Sequence, residues 1–357
     1  MQNESEYLGR WRGEIPILAI GLALLAICIG LLASRGIYPE AGGILAGTQL
    51  FLVSVMIFGA LDIVRELYRH RPVSPLRHLK QRYSSPQLRE RAMAGIPMLA
   101  VCIVLLPFFS KMKSAIPLFH KYTWDGTFIA WDRAIFFGHD AWEVLQPVLG
   151  YPIVTALIAV LYHLWLLLLY PGCLFLILVS MDETVRRQFF LSYVLSWTLI
   201  GGALATVFAS VGPCFVGPML GDHRFDDQMA YLNAANEQFP IMVLPVQQML
   251  LDWHLANADG LGRGITAMPS MHVAIAFLFW LTMRKISRGA GRFFFAFFVI
   301  TWVGSVHTAY HYAVDGLVSV VAVAAIWWAS RRIIAWWDAQ ELRRAQAALR
   351  TNTVPAE

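Results

Sequence analysis

Eight stretches of the chain are almost continuously apolar, with polar segments between them. They cover roughly residues 15–33, 43–61, 92–109, 151–179, 189–211, 271–283, 293–310 and 311–329. Most approach the ~20 residues that an α-helix needs to cross a bilayer, and tilt absorbs the differences. The apolar character is unbroken rather than alternating, which favours helices over the strands of a membrane barrel. The sixth stretch is short, and the seventh and eighth meet at a tight turn around residues 309–312. The pattern predicts an all-α protein: a polytopic membrane helical bundle of about eight spans.

Composition agrees. Of 357 residues, 58% are hydrophobic and 14% charged, against about 45–50% and about 25% in soluble domains. The first apolar run is longer than the ~7–15-residue core of a signal peptide, so a retained span is expected. Loop charge sets the expected topology. With the N-terminus inside, 21 of the 28 Lys and Arg residues fall on the cytoplasmic side and 7 outside, which is the positive-inside bias. Both termini are then cytoplasmic. The net charge of +5 reads as a topology signal, so no nucleic-acid partner is expected. A multi-pass protein of the plasma membrane, in a bacterial inner membrane, is the expected location. The four cysteines do not form a disulfide framework; three lie in apolar runs, and only Cys214, in Gly212-Pro213-Cys214, sits beside a membrane exit.

The polar segments suggest three parts: N-terminal spans with a basic cytoplasmic loop (1–110), a membrane core (111–330) and a basic cytoplasmic tail (331–357). The tail reads as an amphipathic helix. The outer segment 110–150 is rich in aromatic residues, which favour the membrane–water interface. It predicts a helix on the outer surface, with Asp125, Asp132 and Arg133 on its polar side. Asp132 and Arg133 are expected to form a local ion pair, with headgroup recognition as the other reading. Segment 212–268 is expected to fold as a small cap.

Candidate chemistry gathers at the outer ends of the last spans. His272 lies in Pro269-Ser270-Met271-His272, and His311 and Asp315 lie in His311-Tyr312-Ala313-Val314-Asp315. Ionisable groups near membrane depth are costly, so their default reading is functional. Four residues apart on a helix, His311 and Asp315 share a face. The carboxylate can then accept the Nδ1 proton and leave Nε2 as a nucleophile. Ser270 is expected to cap a new helix, to contact a phosphate at that helix's N-terminus, or both. Taken alone, each histidine also has a plain reading as a buried residue that ties helices together.

At these residues the chain resembles the type 2 phosphatidic acid phosphatase superfamily, and more narrowly its inositol phosphorylceramide synthase branch. Residues Gly264 to Ala274 and His311-Tyr312-Ala313-Val314-Asp315 carry most of the similarity. Trp131-Asp132-Arg133 with Phe137-Gly138, and Gly212-Pro213-Cys214, add to it, and the resemblance covers roughly residues 125–328. It implies metal-independent phosphoryl transfer with no cofactor. By resemblance His311 attacks phosphorus, Asp315 orients it, and His272 protonates the leaving oxygen and then deprotonates the acceptor. The implied partners are a membrane lipid phosphate substrate and a lipid alcohol acceptor. The chain departs from the phosphatase branch in lacking its Lys-x6-Arg-Pro motif and Ser-Arg pair: Ser305 stands six residues before His311, preceded by Gly304. Arg71-Pro72 mimics the first motif but lies in the basic inside loop. The phosphate charge must then be met by other groups, and Arg263, Arg224, His307 and the helix N-terminus at Ser270 are the candidates.

Head-group transfer between lipids is therefore the leading expectation, and hydrolysis of a lipid phosphate or pyrophosphate is the alternative. A haem-binding carrier using His272 and His311 is a reading of another class, which a Soret band would reveal. A proton-coupled transporter would want charges near the midplane and repeated halves, and neither is legible. His163, among aromatic residues in an apolar run, reads as a core or interface residue.

Overall fold

The computed structural model describes residues 2–38, 41–179, 181–256 and 264–352. Every regular element in them is helical. The first four are α1 (Gln2–Ala33), α2 (Ala41–His70), α3 (Pro75–Tyr83) and α4 (Pro86–Phe119). Then come α5 (Asp125–Ile135), α6 (Ala141–Leu149), α7 (Pro152–His163), α8 (Tyr170–Leu178), α9 (Glu183–Leu195) and the single turn α10 (Ala205–Val207). A cap of α11 (Pro213–Leu220), α12 (Asp226–Gln238) and α13 (Val243–Leu255) precedes α14 (Met271–Ile286), α15 (Arg288–His307) and α16 (Ala313–Asn352).

Among the described residues five helical stretches are long and apolar enough to cross a membrane, or six if one bent pair counts as a span. The expected first, third, fifth, seventh and eighth spans lie in these five. The remaining three differ. The second run lies in α2, outside that set. The fourth does not run straight: α7 ends at His163, a 3-10 turn occupies Leu164–Leu168, and Pro171 stands in the first turn of α8. A proline restarts a helix well but cannot continue one, because it lacks an N–H. The sixth, α14, has only 16 residues. It is buried along nearly its whole length and packs on α15, α16 and α9, which explains why it is apolar all round.

The chain ends and α9 meet on one face. Arg186 and Arg187 at the start of α9 pair with Glu14 of α1 and with Asp338 of α16 (2.9 Å). All of these groups belong to segments expected inside. The tail is not a separate element, since α16 carries the last span on to Asn352.

At the other face the outer segments fold inward, against expectation. Asp125 and Asp132 are not on a polar surface; both are buried. Asp125 accepts the N–H groups of Val211 and Gly212 (3.0 Å each) and the hydroxyl of Tyr312 (2.8 Å). Asp132 accepts the N–H groups of Ala313 (2.7 Å) and Val314 (2.8 Å), so it caps α16 from another helix. A carboxylate suits that place because a helix N-terminus offers unpaired donors and a positive dipole end. The expected Asp132–Arg133 pair does not form; Arg133 reaches Asp140 instead (3.5 Å).

Candidate functional site

The site is built on a turn. Helix α15 ends at His307, and Ala309 takes a left-handed backbone with φ of 62° before α16 starts at Ala313. The turn is held from outside itself. Gln228 of α12 donates to the carbonyl of Val306 (2.8 Å), and Gln247 of α13 donates to that of Thr308 (2.8 Å). Gly212 sits against it at φ 90°, where an added Cβ would collide with the carbonyl oxygen of Tyr310. That backbone and that approach both require glycine.

His311 and Asp315 come together here, not as neighbours on one helix face but with His311 on the turn just ahead of α16. His311 Nδ1 lies 3.1 Å from Asp315 Oδ2, and the same oxygen accepts the N–H of Tyr312 (3.1 Å). Asp315 is fully buried, and its Oδ1 has no partner among the described residues. Ser270 is buried and caps α14, accepting the Val273 N–H at 3.4 Å. Ser319 bridges the two helix starts, sharing its hydroxyl between the carbonyls of Ser270 (2.9 Å) and Asp315 (2.7 Å). This bridge sets α14 against α16 and places His272 opposite His311, with ring centroids 6.1 Å apart and planes at 60°. His272 is gripped by two aromatic rings, Tyr162 at 4.5 Å and Trp165 at 4.1 Å.

Both histidines line one cavity of about 440 Å³, together with Lys113 of α4. By hydropathy Lys113 falls just past the third apolar run, among the seven outer basic residues. Because α4 continues to Phe119, the residue instead lies on the last turns of a membrane helix. The signal was present: a lysine within reach of an apolar run sits at membrane depth if the helix does not stop where the run does.

The other expected phosphate ligands fare differently. Arg263 lies outside the described residues. Arg224 is half-exposed, 3.9 Å from Asp140, and does not line the cavity. His307 does not share a face with His311, because the turn at Ala309 breaks the helix between them. It is buried away from the cavity, with Nε2 2.9 Å from the Thr155 hydroxyl, which also meets Tyr231 (2.6 Å). His163 does line the cavity, with Nδ1 donating to the Ala159 carbonyl (2.8 Å). Arg71 lies in the turn between α2 and α3 and does not line the cavity. Cys214 is buried and unoxidised, and its N–H donates to the Ala309 carbonyl (2.8 Å).

Comparison with known proteins bears on the same residues. No curated protein and no solved structure gives a significant match. A family model described as PAP2 superfamily matches residues 126–329, from the first turn of α5 well into α16. That stretch takes in His272, His311, Asp315 and both turns that present them. It is more than half of the chain, and the protein therefore belongs to the PAP2 superfamily, whose members are phosphatases or phosphotransferases.

Proposed function

We propose that this chain is a membrane lipid phosphotransferase working through a phosphohistidine on His311, and that it moves a phosphorylated head group from a donor lipid to a lipid alcohol. One observation carries the reading: a carboxylate-paired histidine and a second histidine face each other at the polar end of an apolar cavity.

The steps follow from the geometry. Asp315 holds the proton on His311 Nδ1, which leaves Nε2 as the lone-pair nitrogen. Nε2 attacks phosphorus while the bond from phosphorus to the leaving oxygen breaks. His272 gives that oxygen a proton and becomes neutral. In the second half His272 takes the proton of the acceptor hydroxyl, the acceptor oxygen attacks phosphorus, and the P–N bond breaks. Each half is general acid–base catalysis of phosphoryl transfer. Lys113 meets the phosphate charge that the missing arginines would meet elsewhere. The Tyr162 ring, stacked on His272, and the Trp165 ring, tilted against it, keep His272 aimed. No step calls for a metal ion.

Water and an alcohol can intercept the same phosphoenzyme. The apolar cavity favours a lipid alcohol over water as the acceptor, and this tilts the reading toward transfer and toward the inositol phosphorylceramide synthase branch. The loop charges support a site on the extracytoplasmic side. The test is a labelled lipid phosphate donor incubated in micelles with and without an alcohol-bearing lipid, in the presence of a chelator. Label should appear in the acceptor lipid and persist with chelator. Release of inorganic phosphate alone would leave a hydrolase, and strict dependence on divalent metal would defeat the mechanism.

A further inference from the structure

The family match starts at residue 126, but the cavity does not. Part of its wall comes from earlier in the chain: Leu50 of α2, and Leu106, Phe109 and Lys113 of α4. Taking the phosphoesterase reading of the site as its basis, we propose that this cavity holds the apolar tail of the substrate lipid, and that α2 and α4 set which tail fits.

The cavity is graded like an amphiphile. Its polar end carries Lys113, His272 and His311. Buried polar atoms without partners among the described residues lie there too: the Tyr162 hydroxyl, the Trp165 Nε1 and the Thr266 hydroxyl, all on cavity-lining residues. Orphaned buried donors are costly and rare, so this cluster calls for a ligand with acceptor oxygens. Away from it the lining is apolar, through Leu106 and Leu169 to Leu50. At the mouth Leu50 is 42% exposed and Leu166 55% exposed. Both leucines lie in apolar runs expected to meet lipid, which points the entrance toward the bilayer rather than toward water. Helix interiors pack with few voids larger than a water molecule. A cavity of about 440 Å³ is instead within the range of ligand sites, roughly 300–1,000 Å³.

The local sequence explains why the gap is there. The 3-10 turn at Leu164–Leu168 rotates Trp165 inward and Leu166 outward. Pro171 prevents a straight helix from closing the space. Gly201 has no side chain, so Phe109 can lie across that position, and Gly47 of α2 sits where a Cβ would crowd the Tyr170 hydroxyl. The family core therefore supplies the histidines, and the N-terminal helices supply the opposite wall and the cation.

The test uses monoalkyl phosphates from octyl to hexadecyl as donors, with a long-chain alcohol as acceptor, in mixed micelles and with the full-length chain. Wild-type kcat/KM should rise with tail length to an optimum. Leu106→Trp, which fills the cavity, should lower the hexadecyl-to-octyl ratio of kcat/KM by about tenfold or more, since each buried methylene contributes roughly fourfold. Leu106→Ala, which enlarges the cavity, should move the optimum to longer tails. An unchanged ratio in both variants, with wild-type turnover intact, would overturn the tail site and leave the phosphoesterase reading standing. No turnover of any tail length by the wild type would overturn that reading and the tail site with it.

Discussion

Asp315 divides its oxygens unequally: Oδ2 serves His311 and the Tyr312 amide, while Oδ1 has no partner among the described residues. If its task is to orient the imidazole, Asp315→Asn should keep the packing and lose the tautomer. We expect kcat to fall about 10²- to 10⁴-fold with little change in KM, measured by lipid phosphate turnover in micelles. Lys113 acts on charge rather than on proton position. Lys113→Gln should cost about 10- to 100-fold in kcat/KM, the worth of a charge-assisted hydrogen bond, and Lys113→Arg should recover part of it. Equal rates for Lys113→Gln and wild type would remove this residue from the site. At this scale the pairing of His311 with Asp315 was legible from their spacing, although His311 meets the carboxylate from the turn ahead of α16 and not from a shared helix face. Lys113 was not, because its place depends on where α4 ends. His307 stands outside the cavity for a similar reason, since the turn at Ala309 changes direction between it and His311, and Arg224 lies instead beside Asp140.

The elements around the site are held by carboxylates inserted from other helices. Asp132 caps α16 through two amides. Its carboxyl is pushed up to about 6, chiefly by burial, with the two amide bonds opposing the rise and Asp315 and Asp140 adding to it. The native carboxyl thus binds a proton more readily than the unfolded one. Stability should then decline as pH rises between about 4 and 6 and level off above. Asp132→Asn should flatten that slope in a thermal-unfolding series across the window. A slope identical to wild type would contradict the burial argument. Asp125→Ala should strip the Val211 and Gly212 amides of their acceptor and cost roughly 1–3 kcal/mol, read as a lower unfolding midpoint. The long helices were legible from apolar runs. The caps were not, since a buried carboxylate and an exposed one look alike until their partners, here nearly two hundred residues away, are known.

Across the whole molecule, two faces do different work. One joins α1, α9 and α16 through Glu14, Arg186, Arg187 and Asp338. The other carries the histidines, Lys113 and the carboxylate caps. Glu14 and Arg186 are both buried, so breaking the pair should be worse than removing it. Arg186→Met alone should cost about 3–5 kcal/mol by stranding the carboxylate, and Glu14→Met with Arg186→Met should recover much of that. A double variant less stable than the single one would contradict this. The all-α class and the separation of the two faces followed from hydropathy and loop charge. The bent path through α6, α7 and α8 did not, because an apolar run records burial from water and not straightness. The central claim, a covalent phosphate on His311, has a direct measurement. The full-length protein is mixed briefly with labelled lipid phosphate donor, quenched in base, digested and mapped by mass spectrometry. The account predicts an acid-labile, base-stable phosphate on the peptide carrying His311, absent from His311→Ala. Label on another residue, or undiminished turnover by His311→Ala, would contradict it.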